Sequence, residues 1–406
     1  MNPSISMKRR EFLKVTSLSA VLAGTGGTTS VLAAGAPGSG TFGFASSPML
    51  QNPAPDGMTV VWAVNALGTG WVEYGETQAL GQRSEGGNQG LNGLDERLLK
   101  VRLNGLRPGT RYFYRVHACP IDFKNAYDIH RGEAIASPVR EFSTINPAAS
   151  STSFSIINDT HEVTETLQRL GGLMQAQPTE SLIWNGDIFN DIRSPQQITE
   201  QVLAPAGQEF AAQRPLLPVR GNHDVRGGKA RMLDQYFDLP SGLWYYTLRQ
   251  GPVAFLVLDT GEDKPDEHPV YAGLNDFARY RTTQQQWLRQ AIRRKEFRSA
   301  PFRVALLHIP LLWKDYAHAG SFCSDGKAKW HELLVRAKIQ LIVSGHTHET
   351  GWFPAGSQAP YAQLVGGGPK PGAATLIQGR ATSRELRLSM QNLDGKELDN
   401  YVIKAG

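Results

Sequence analysis

The chain has 406 residues, of which 40% are hydrophobic and 19% are charged. This balance is typical of a soluble globular protein and excludes a chain that is disordered throughout, and the length indicates two folded domains. The formal net charge is +5, but Lys8, Arg9, Arg10 and Lys14 against Glu11 contribute 4 − 1 = +3, so 5 − 3 = +2 remains for the rest. Such a small excess gives no indication of a nucleic-acid partner.

Residues 1–36 have the organisation of an export signal. A basic segment from Met7 to Lys14 precedes a short apolar run, Val15 to Ala23, and then small residues. The apolar run is shorter than the ~20 residues that a membrane span needs. The paired arginines followed by Phe-Leu-Lys resemble the twin-arginine signal. That resemblance implies the twin-arginine export machinery as a partner, a periplasmic or extracellular location, and no transmembrane segment in the mature chain.

Residues 41–145 predict an all-β sandwich. Several short alternating runs are separated by turn residues, which is typical of such a domain; they are Met58 to Val64, Gly70 to Tyr74, Leu98 to Leu103, Tyr112 to His117 and Val139 to Phe142. The segment from Leu106 to Val116 resembles fibronectin type III modules, in which a tyrosine fixes the corner into a strand. The stretch from Asn52 to Trp62 resembles the amino-terminal sandwich of purple acid phosphatases. Small and polar residues at 146–153 indicate a linker.

Residues 153–406 predict an α/β domain, because apolar runs alternate with segments that can be helical. The predicted helices are Glu162 to Gln175, Ile198 to Ala212, Thr283 to Phe297 and Lys327 to Ala337. Six apolar runs end in polar residues; these ends begin at Asn158, Asn185, Gly221, Asp259, His308 and Ser344. Because parallel strands point the same way, we expect their polar ends to meet on one rim of the sheet.

The side chains gathered on this rim have the chemistry of metal ligands. They are Asp159, His161, Asp187, Asn222, His223, His308, His346 and His348. Carboxylates and imidazoles suit divalent or trivalent ions, and the absence of cysteine from the set argues against a zinc–thiolate site. The set is larger than one ion can use, and an aspartate in its middle could bridge two ions, so we predict a two-metal centre.

The order of these motifs resembles the calcineurin-like metallophosphoesterases. Asp-x-His, Gly-Asp, Gly-Asn-His-Asp, a lone His and Gly-His-x-His occur in sequence between Ile157 and Thr350. The resemblance implies a four-layer α/β/β/α domain with two mixed sheets flanked by helices. It also implies that Asp159, His161 and His348 hold one ion, that Asn222, His308 and His346 hold the other, and that Asp187 bridges them. The two ions would be divalent or of mixed valence (Fe, Mn or Zn).

The same resemblance assigns the catalytic residues. His223 would face a phosphate-ester substrate and protonate the leaving group, with Asp224 behind it to fix its tautomer or raise its basicity, while a metal-bound hydroxide attacks phosphorus. Two departures bear on this assignment. Purple acid phosphatases lack a His at position 161 and carry a Tyr at position 190, which gives their iron its colour. The resemblance therefore implies that this chain has no tyrosinate charge-transfer band. Protein serine/threonine phosphatases carry an Asp at position 190, where this chain has Asn190.

Other features of this domain are predicted to be structural. Arg226 lies near the end of a motif and could hold a substrate phosphate, but a solvated surface position is the favoured interpretation. Gly366 to Pro369 are predicted to form a turn, since no helix follows to bind phosphate. The runs Thr375 to Gln378, Glu385 to Met390 and Asn400 to Ile403 predict antiparallel strands that complete a second sheet packed on the first.

We therefore expect an exported phosphoesterase that prefers phosphomonoesters. Two alternatives stay open: a phosphodiesterase of the same family, and a non-catalytic surface binding module that retains the fold. The alkaline phosphatase D family has a similar leader and sandwich but uses a cysteine ligand, and neither Cys119 nor Cys323 ends a predicted strand at a motif. Both cysteines are predicted to be free or buried thiols.

Overall fold

The amino-terminal part of the chain forms β-strands, several of which alternate buried and more exposed residues, as in the segment Leu98–Asn104, whereas Gly57–Ala63 is buried throughout. The computed structural model describes residues 41–314, 322–357 and 359–405; the predicted twin-arginine leader at 1–36 lies outside them. The strands are β1 Met49–Ala54, β2 Gly57–Ala63, β3 Gly68–Gly75, β4 Gln82–Glu85, β5 Gly87–Asn88, β6 Leu91–Asn92, β7 Leu98–Asn104, β8 Arg111–Asn125, β9 Asp128–Arg131, β10 Ile135–Ala136 and β11 Arg140–Ser143.

These strands build the two faces of a sandwich. One face has the order β10-β8-β3-β4, with β9 and β11 also paired to β8, and the other contains β1, β2 and β7. Trp62, Tyr112, Tyr114 and Phe142 are buried between them. The Tyr112 hydroxyl accepts a hydrogen bond from the Arg107 amide at 3.0 Å, so this tyrosine fixes the corner before β8 as the fibronectin-like pattern predicts.

The second part of the chain alternates strands and helices. Its strands are β12 Ser151–Ile157, β13 Ser181–Asn185, β14 Leu216–Val219, β15 Tyr246–Gln250, β16 Val253–Val257, β17 Phe302–Leu306, β18 Leu341–Ser344, β19 Gly351–Phe353, β20 Ala362–Val365, β21 Thr375–Thr382, β22 Glu385–Asn392 and β23 Glu397–Lys404. The helices are α1 Thr164–Ala176, α2 Pro195–Ile198, α3 Leu233–Tyr236, α4 Phe277–Ala291, α5 Lys295–Arg298 and α6 Phe322–Arg336.

Two mixed sheets pack face to face in this part. In the first, β12, β13 and β14 are parallel; in the second, β16, β17, β18 and β20 are parallel. Phe154 of β12 meets Phe255 of β16 edge to face, with ring centroids 5.0 Å apart. Leu167 and Leu170 of α1 join this core, and α4 and α6 pack on the outer face of the second sheet through Leu288 and other residues. The layering is the expected α/β/β/α.

The three carboxyl-terminal strands do not belong to the second sheet, so that part of the prediction was wrong. β21 pairs antiparallel with β12, and β22 and β23 extend the first sheet beyond it. The second sheet is instead completed by β15, β19 and β20.

The first sheet also continues into the sandwich. Its order is β23-β22-β21-β12-β13-β14-β1-β2-β7, with Gln51 of β1 beside Leu216 of β14. Met49, Val61 and Ile145 share one hydrophobic cluster with the first sheet, and residues 41–406 form one compact unit. The predicted sandwich and catalytic domain therefore have one sheet in common.

Two further observations concern membrane contact and the thiols. Within the described part of the chain, every helix is too short or too polar to span a bilayer. Cys119 is buried and free, as predicted, whereas the side chain of Cys323 lies outside the described part of the chain.

Candidate metal centre

Five buried strands end within three residues of a predicted metal ligand. Asp159 follows β12, Asp187 follows β13, Asn222 follows β14, His308 follows β17, and His346 follows β18. Because these strands lie in two parallel sets that face each other, their carboxyl ends meet at one edge, where open α/β folds place their ligands.

The first group of side chains contains Asp159, His161 and His348, whose ligand atoms all lie within 4.8 Å of one another. The Nε2 atoms of His161 and His348 are 3.1 Å apart. Asp159 Oδ1 is 3.4 Å from His348 Nε2 and 3.8 Å from His161 Nε2. Asp159 is fully buried, whereas the His348 side chain is 46% exposed, so this group opens toward solvent at His348.

The second group contains Asp187, His308 and His346, again with ligand atoms within 4.8 Å of one another. His308 is fully buried, and its Nδ1–H donates to the Asn185 carbonyl at 2.8 Å, which leaves Nε2 to face Asp187. The Asn222 Oδ1 atom lies 2.9 Å from His346 Nδ1, so it belongs to the same group.

Asp187 lies between the two groups. Its Oδ2 atom is 3.1 Å from His308 Nε2 and 3.5 Å from His161 Nε2. Burial acts to raise the pKa of Asp187, but the imidazoles around it, His308 first, hold that pKa well below its usual range. The carboxylate is thus ionised and in a position to bridge.

The electrostatics of the imidazoles follow from the same geometry. Burial lowers the pKa of His308, but Asp187 and Asp159 outweigh it and raise that pKa to about 10. Burial lowers the pKa of His346 to about 4 and also lowers the pKa of His161. Asp187 and Asp159 therefore favour the protonated form of the buried His308 ring, and a metal cation can take the place of that proton.

The donor atoms themselves fit a bound cation. Asp159 Oδ1 and His308 Nε2 are buried, and their charged neighbours at 3.1–3.8 Å do not complete a well-aligned hydrogen bond with either atom. Buried polar atoms without partners are rare in folded proteins and call for an explanation such as an ion. The facing Nε2 atoms of His161 and His348 also indicate a cation. A cation can accept both lone pairs, whereas a single shared proton satisfies them less well.

The backbone around the donors is strained. Positive φ values occur at Asp159 (48°), His161 (44°), Asp187 (53°), His346 (72°) and His348 (58°). Residues other than glycine rarely adopt this region, and such strain clusters at functional sites. The left-handed residues follow the ends of β12, β13 and β18, where the chain turns away from each strand.

Asp224 does not have the expected contact with His223. Its carboxylate accepts four backbone hydrogen bonds at 2.8–3.2 Å, from the amides of Asp187, Ile188, Phe189 and Gly221. Burial raises the pKa of Asp224 to about 6. The residue holds the loop after β13 against the loop after β14, and we therefore correct its role from a partner of the His223 ring to a positioning residue for Asp187.

His223 lies beside the first group and is held by other partners. Its ring meets the His161 ring edge to face, with centroids 4.7 Å apart. Nδ1–H donates to the Asn190 carbonyl at 2.8 Å, and Arg226 donates from Nη1 to His223 Nε2 at 2.9 Å. His223, His161 and Asp187 also form a third group of candidate ligand atoms within 4.8 Å. The Asn190 side chain bonds to the His161 carbonyl and to Glu162, so position 190 contributes its backbone carbonyl to the His223 ring.

Arg226 contacts the His223 ring, although the favoured prediction placed it on the solvated surface, and that prediction was wrong. Its side chain is only 25% exposed and forms ion pairs with Glu262 at 2.7 Å and Asp263 at 3.0 Å. Glu262 is itself buried. Residues 223–225 form a 3₁₀ turn, in which side chains three apart lie above one another. The spacing of three between His223 and Arg226 is the signal that could have found this contact.

A second missed element lies under the first group. Asn158 donates from Nδ2 to Asp159 Oδ2 at 2.6 Å and to the Gly367 carbonyl at 2.7 Å. A Cβ atom at Gly366 would overlap Asn158 Oδ1, and one at Gly368 would lie 2.6 Å from His348 Cβ. The glycine run is a connection without helix, as predicted, but it is also the close packing surface that positions two predicted ligands.

A two-sheet α/β fold that collects carboxylates and imidazoles at one edge is the architecture of a metal-dependent hydrolase of phosphate esters. Comparison with protein-family models identifies the domains. Residues 152–350 match the calcineurin-like phosphoesterase family, and residues 47–144 match the N-terminal domain of purple acid phosphatases. The chain thus has a calcineurin-like phosphoesterase domain and a purple acid phosphatase N-terminal domain.

Two solved structures are similar over most of the chain. The purple acid phosphatase PPD1 from yellow lupin (Lupinus luteus) seeds has a TM-score of 0.65 and 15% sequence identity, over 88% of this chain and 74% of that one. The structure of PhoD has a TM-score of 0.61 and 12% identity, over 89% of this chain and 90% of that one. At these identities the likeness concerns the fold: a sandwich followed by the two-sheet domain.

Proposed function

We propose that the protein is an exported phosphoesterase that uses two metal ions and prefers phosphomonoesters. The observation that carries the proposal is the position of Asp187 Oδ2, which is 3.1 Å from His308 Nε2 in one donor group and 3.5 Å from His161 Nε2 in the other. A carboxylate shared between two sets of donors suits a pair of ions.

The predicted ligand sets follow these groups. Asp159, His161 and His348 would hold one ion and Asn222, His308 and His346 the other, with Asp187 shared. Fe, Mn or Zn are the candidates, because imidazole and carboxylate donors suit all three. Bound cations supply positive charge that stabilises the phosphoryl oxygens and promotes deprotonation of a water molecule.

His223 is the proposed proton donor to the leaving group. Its Nδ1 is engaged by the Asn190 carbonyl, so Nε2 is the atom that can exchange a proton with substrate. In the structure Arg226 Nη1–H donates to this nitrogen, so Nε2 must part from Arg226 and take up a proton before it can donate to a leaving group. The guanidinium beside it suits a phosphate oxygen. Glu262 and Asp263 keep Arg226 in place.

The preference for phosphomonoesters and the export route rest on different observations. The preference is supported by the purple acid phosphatase N-terminal domain and by the similarity to the lupin enzyme's fold. Export is supported by the leader sequence alone, with Arg9 and Arg10 before an apolar run. A reporter fused to residues 1–36 should be exported, and replacing both arginines by lysine should stop it.

Metal analysis combined with two aryl substrates tests the function. The purified protein should contain two metal ions per chain and hydrolyse p-nitrophenyl phosphate faster than bis-p-nitrophenyl phosphate. Faster turnover of the diester would make it a phosphodiesterase, and absence of both metal and turnover would favour a binding module. Asp187→Asn should lose metal and activity together, whereas retention of full activity would remove Asp187 from the bridge.

A second variant tests the proton donor. His223→Ala should keep its metal content but lose kcat, most strongly for alkyl phosphates, whose leaving groups need a proton more than nitrophenolate does. An equal loss for all leaving groups would exclude His223 as the acid.

A further inference from the structure

Four arginines surround one cavity at the opposite end of the second sheet from the metal centre. The cavity has a volume of about 290 Å³ and is lined by Arg289, Arg293, Arg298 and Arg336 together with Ile292 and Leu333. We call it the arginine cavity. Its lining contains four guanidinium groups and no carboxylate, although the chain outside the leader carries a net charge of only +2.

Three helical segments bring these arginines together. Arg289 lies in the last turn of α4 and Arg293 just beyond it, Arg298 ends α5, and Arg336 ends α6. α5 leads directly into β17, whose far end carries His308, so the cavity and the metal centre lie at opposite ends of a five-residue strand. At ~3.3 Å per residue the separation along the sheet is on the order of 17 Å.

The arginines lack an anionic partner within the described part of the chain. Among the described residues none of the four side chains forms an ion pair within 4.0 Å, and all four are exposed. Glu332, one turn before Arg336 in α6, could pair with it in the i,i+4 arrangement but does not come within that distance. By contrast, Arg281 and Lys329 in the same two helices both pair with Asp325.

Further positive charge lies at the edge of the cavity. Arg303 donates from Nη1 to the carbonyls of Arg298 and Ala300, which fixes its guanidinium beside the ends of α5 and β17. Like charges gathered without counter-charges repel one another, and a bound anion relieves that repulsion. Guanidinium groups bind phosphate in a bidentate manner. A phosphate group therefore suits several arginines around one cavity better than a carboxylate ligand does.

We propose that the arginine cavity is a binding site for a phosphate-bearing anion, separate from the metal centre. Its volume is near the lower end of the range for small-molecule pockets, roughly 300 Å³, which suits a compact oligophosphate or the headgroup of an anionic phospholipid. Ile292 and Leu333 give the floor an apolar surface, so the charges lie at the rim, where a headgroup or a free anion reaches them.

The test uses the metal-loaded protein, two probes and a charge-matched control. The test variant is Arg293→Gln/Arg298→Gln. The control is Arg380→Gln/Arg384→Gln, which removes two exposed arginines from the strands of the first sheet and its hairpin. Sodium tripolyphosphate is titrated by calorimetry, and vesicles of phosphatidylcholine with and without phosphatidylglycerol are tested by co-sedimentation. Asp187→Asn is titrated in parallel, because the proposed metal centre would bind tripolyphosphate as well.

The test variant should bind at least one probe about 25-fold more weakly, which corresponds to about 1 kcal/mol for each arginine near an anionic ligand. If the test variant lacks a tripolyphosphate-binding step that Asp187→Asn still shows, the arginine cavity binds a free phosphate anion. Loss of binding to phosphatidylglycerol vesicles assigns it to a lipid headgroup. Equal binding by wild type and test variant, or an equal loss in the control, overturns the proposal. Hydrolysis of p-nitrophenyl phosphate should be unchanged in both arginine variants, so this result is independent of the proposed function.

Discussion

Replacing Asp224 by asparagine tests whether this residue handles protons or positions the site. The side chain keeps its shape, but one oxygen that accepts two buried amides becomes an NH₂ group. The affected pair is either Asp187 and Gly221 or Ile188 and Phe189. A buried amide without an acceptor costs about 1–3 kcal/mol, so the two together cost roughly 2–6 kcal/mol. A neutral side chain is easier to bury than the carboxylate, so we expect Asp224→Asn to lower the free energy of unfolding by about 3 kcal/mol.

The same change should weaken metal binding, because the Asp187 amide is one of the groups that Asp224 holds. Urea unfolding gives the stability, calorimetric titration of the metal-free protein gives the affinity, and kcat is measured at saturating metal. Asp191→Asn is the control, since Asp191 lies in the same loop and pairs only at 3.7 Å with Arg193. If Asp224→Asn keeps wild-type stability and metal affinity and loses only kcat, the positioning role is refuted and the catalytic role returns.

Three more predictions follow from the contacts around the metal centre. Arg226→Gln should retain metal but lose about tenfold in kcat for alkyl phosphates, because the substrate phosphate loses the guanidinium that lies beside His223; Arg226→Lys should restore part of it, and an unchanged kcat in both variants would contradict this role. Asp187 and other carboxylates raise the pKa of His308 from 6.5 to about 10, so the stability that its proton adds to the metal-free protein is complete below pH 6.5 and lost as the pH rises to about 10. The Tm of metal-free protein should fall across that window, metal binding should release a proton measurable in buffers of different ionisation enthalpy, and a flat Tm would contradict the shift. Gly366→Ala should lower stability by about 1–3 kcal/mol and weaken metal binding, since the new methyl group meets a buried asparagine oxygen; Gly372→Ala, where a Cβ meets nothing within 4 Å, is its control.

The strand ends could be predicted from sequence because two local signals coincide there. Each ligand-bearing strand is a short apolar run, and each run stops at a polar residue or a glycine, as at Ile157 before Asn158 and Val219 before Arg220. Such a boundary does not depend on distant contacts. The assignment of Asp159, His161, Asp187, Asn222, His308, His346 and His348 to particular ions stays a prediction, although the structure brings their side chains together. The domain boundaries at 41–145 and 153–406 also stay predictions.

The predictions that were wrong concern places where contacts with residues distant in sequence, or a tight local turn, determine the structure. The predicted helix from Ile198 to Ala212 is broken, because Pro205 has no amide hydrogen and Ala206 adopts a φ of 53°. The carboxyl-terminal strands alternate in a way that fits either sheet, and only the pairing of β21 with β12 decides between them. Asp224 is next to His223 in sequence, yet a tight turn sends adjacent side chains in different directions.

The continuous sheet has a consequence for work with fragments of this protein. A fragment that begins at the predicted linker would lack β1, and β14 would then be an unpaired edge with buried apolar residues on it. Such edges promote association between copies. The Asp238 amide, which donates to the Gln51 side chain at 2.7 Å, would lose its acceptor as well. Expression of residues 153–406 alone should therefore give insoluble material, and fusions or truncations are better placed before residue 41.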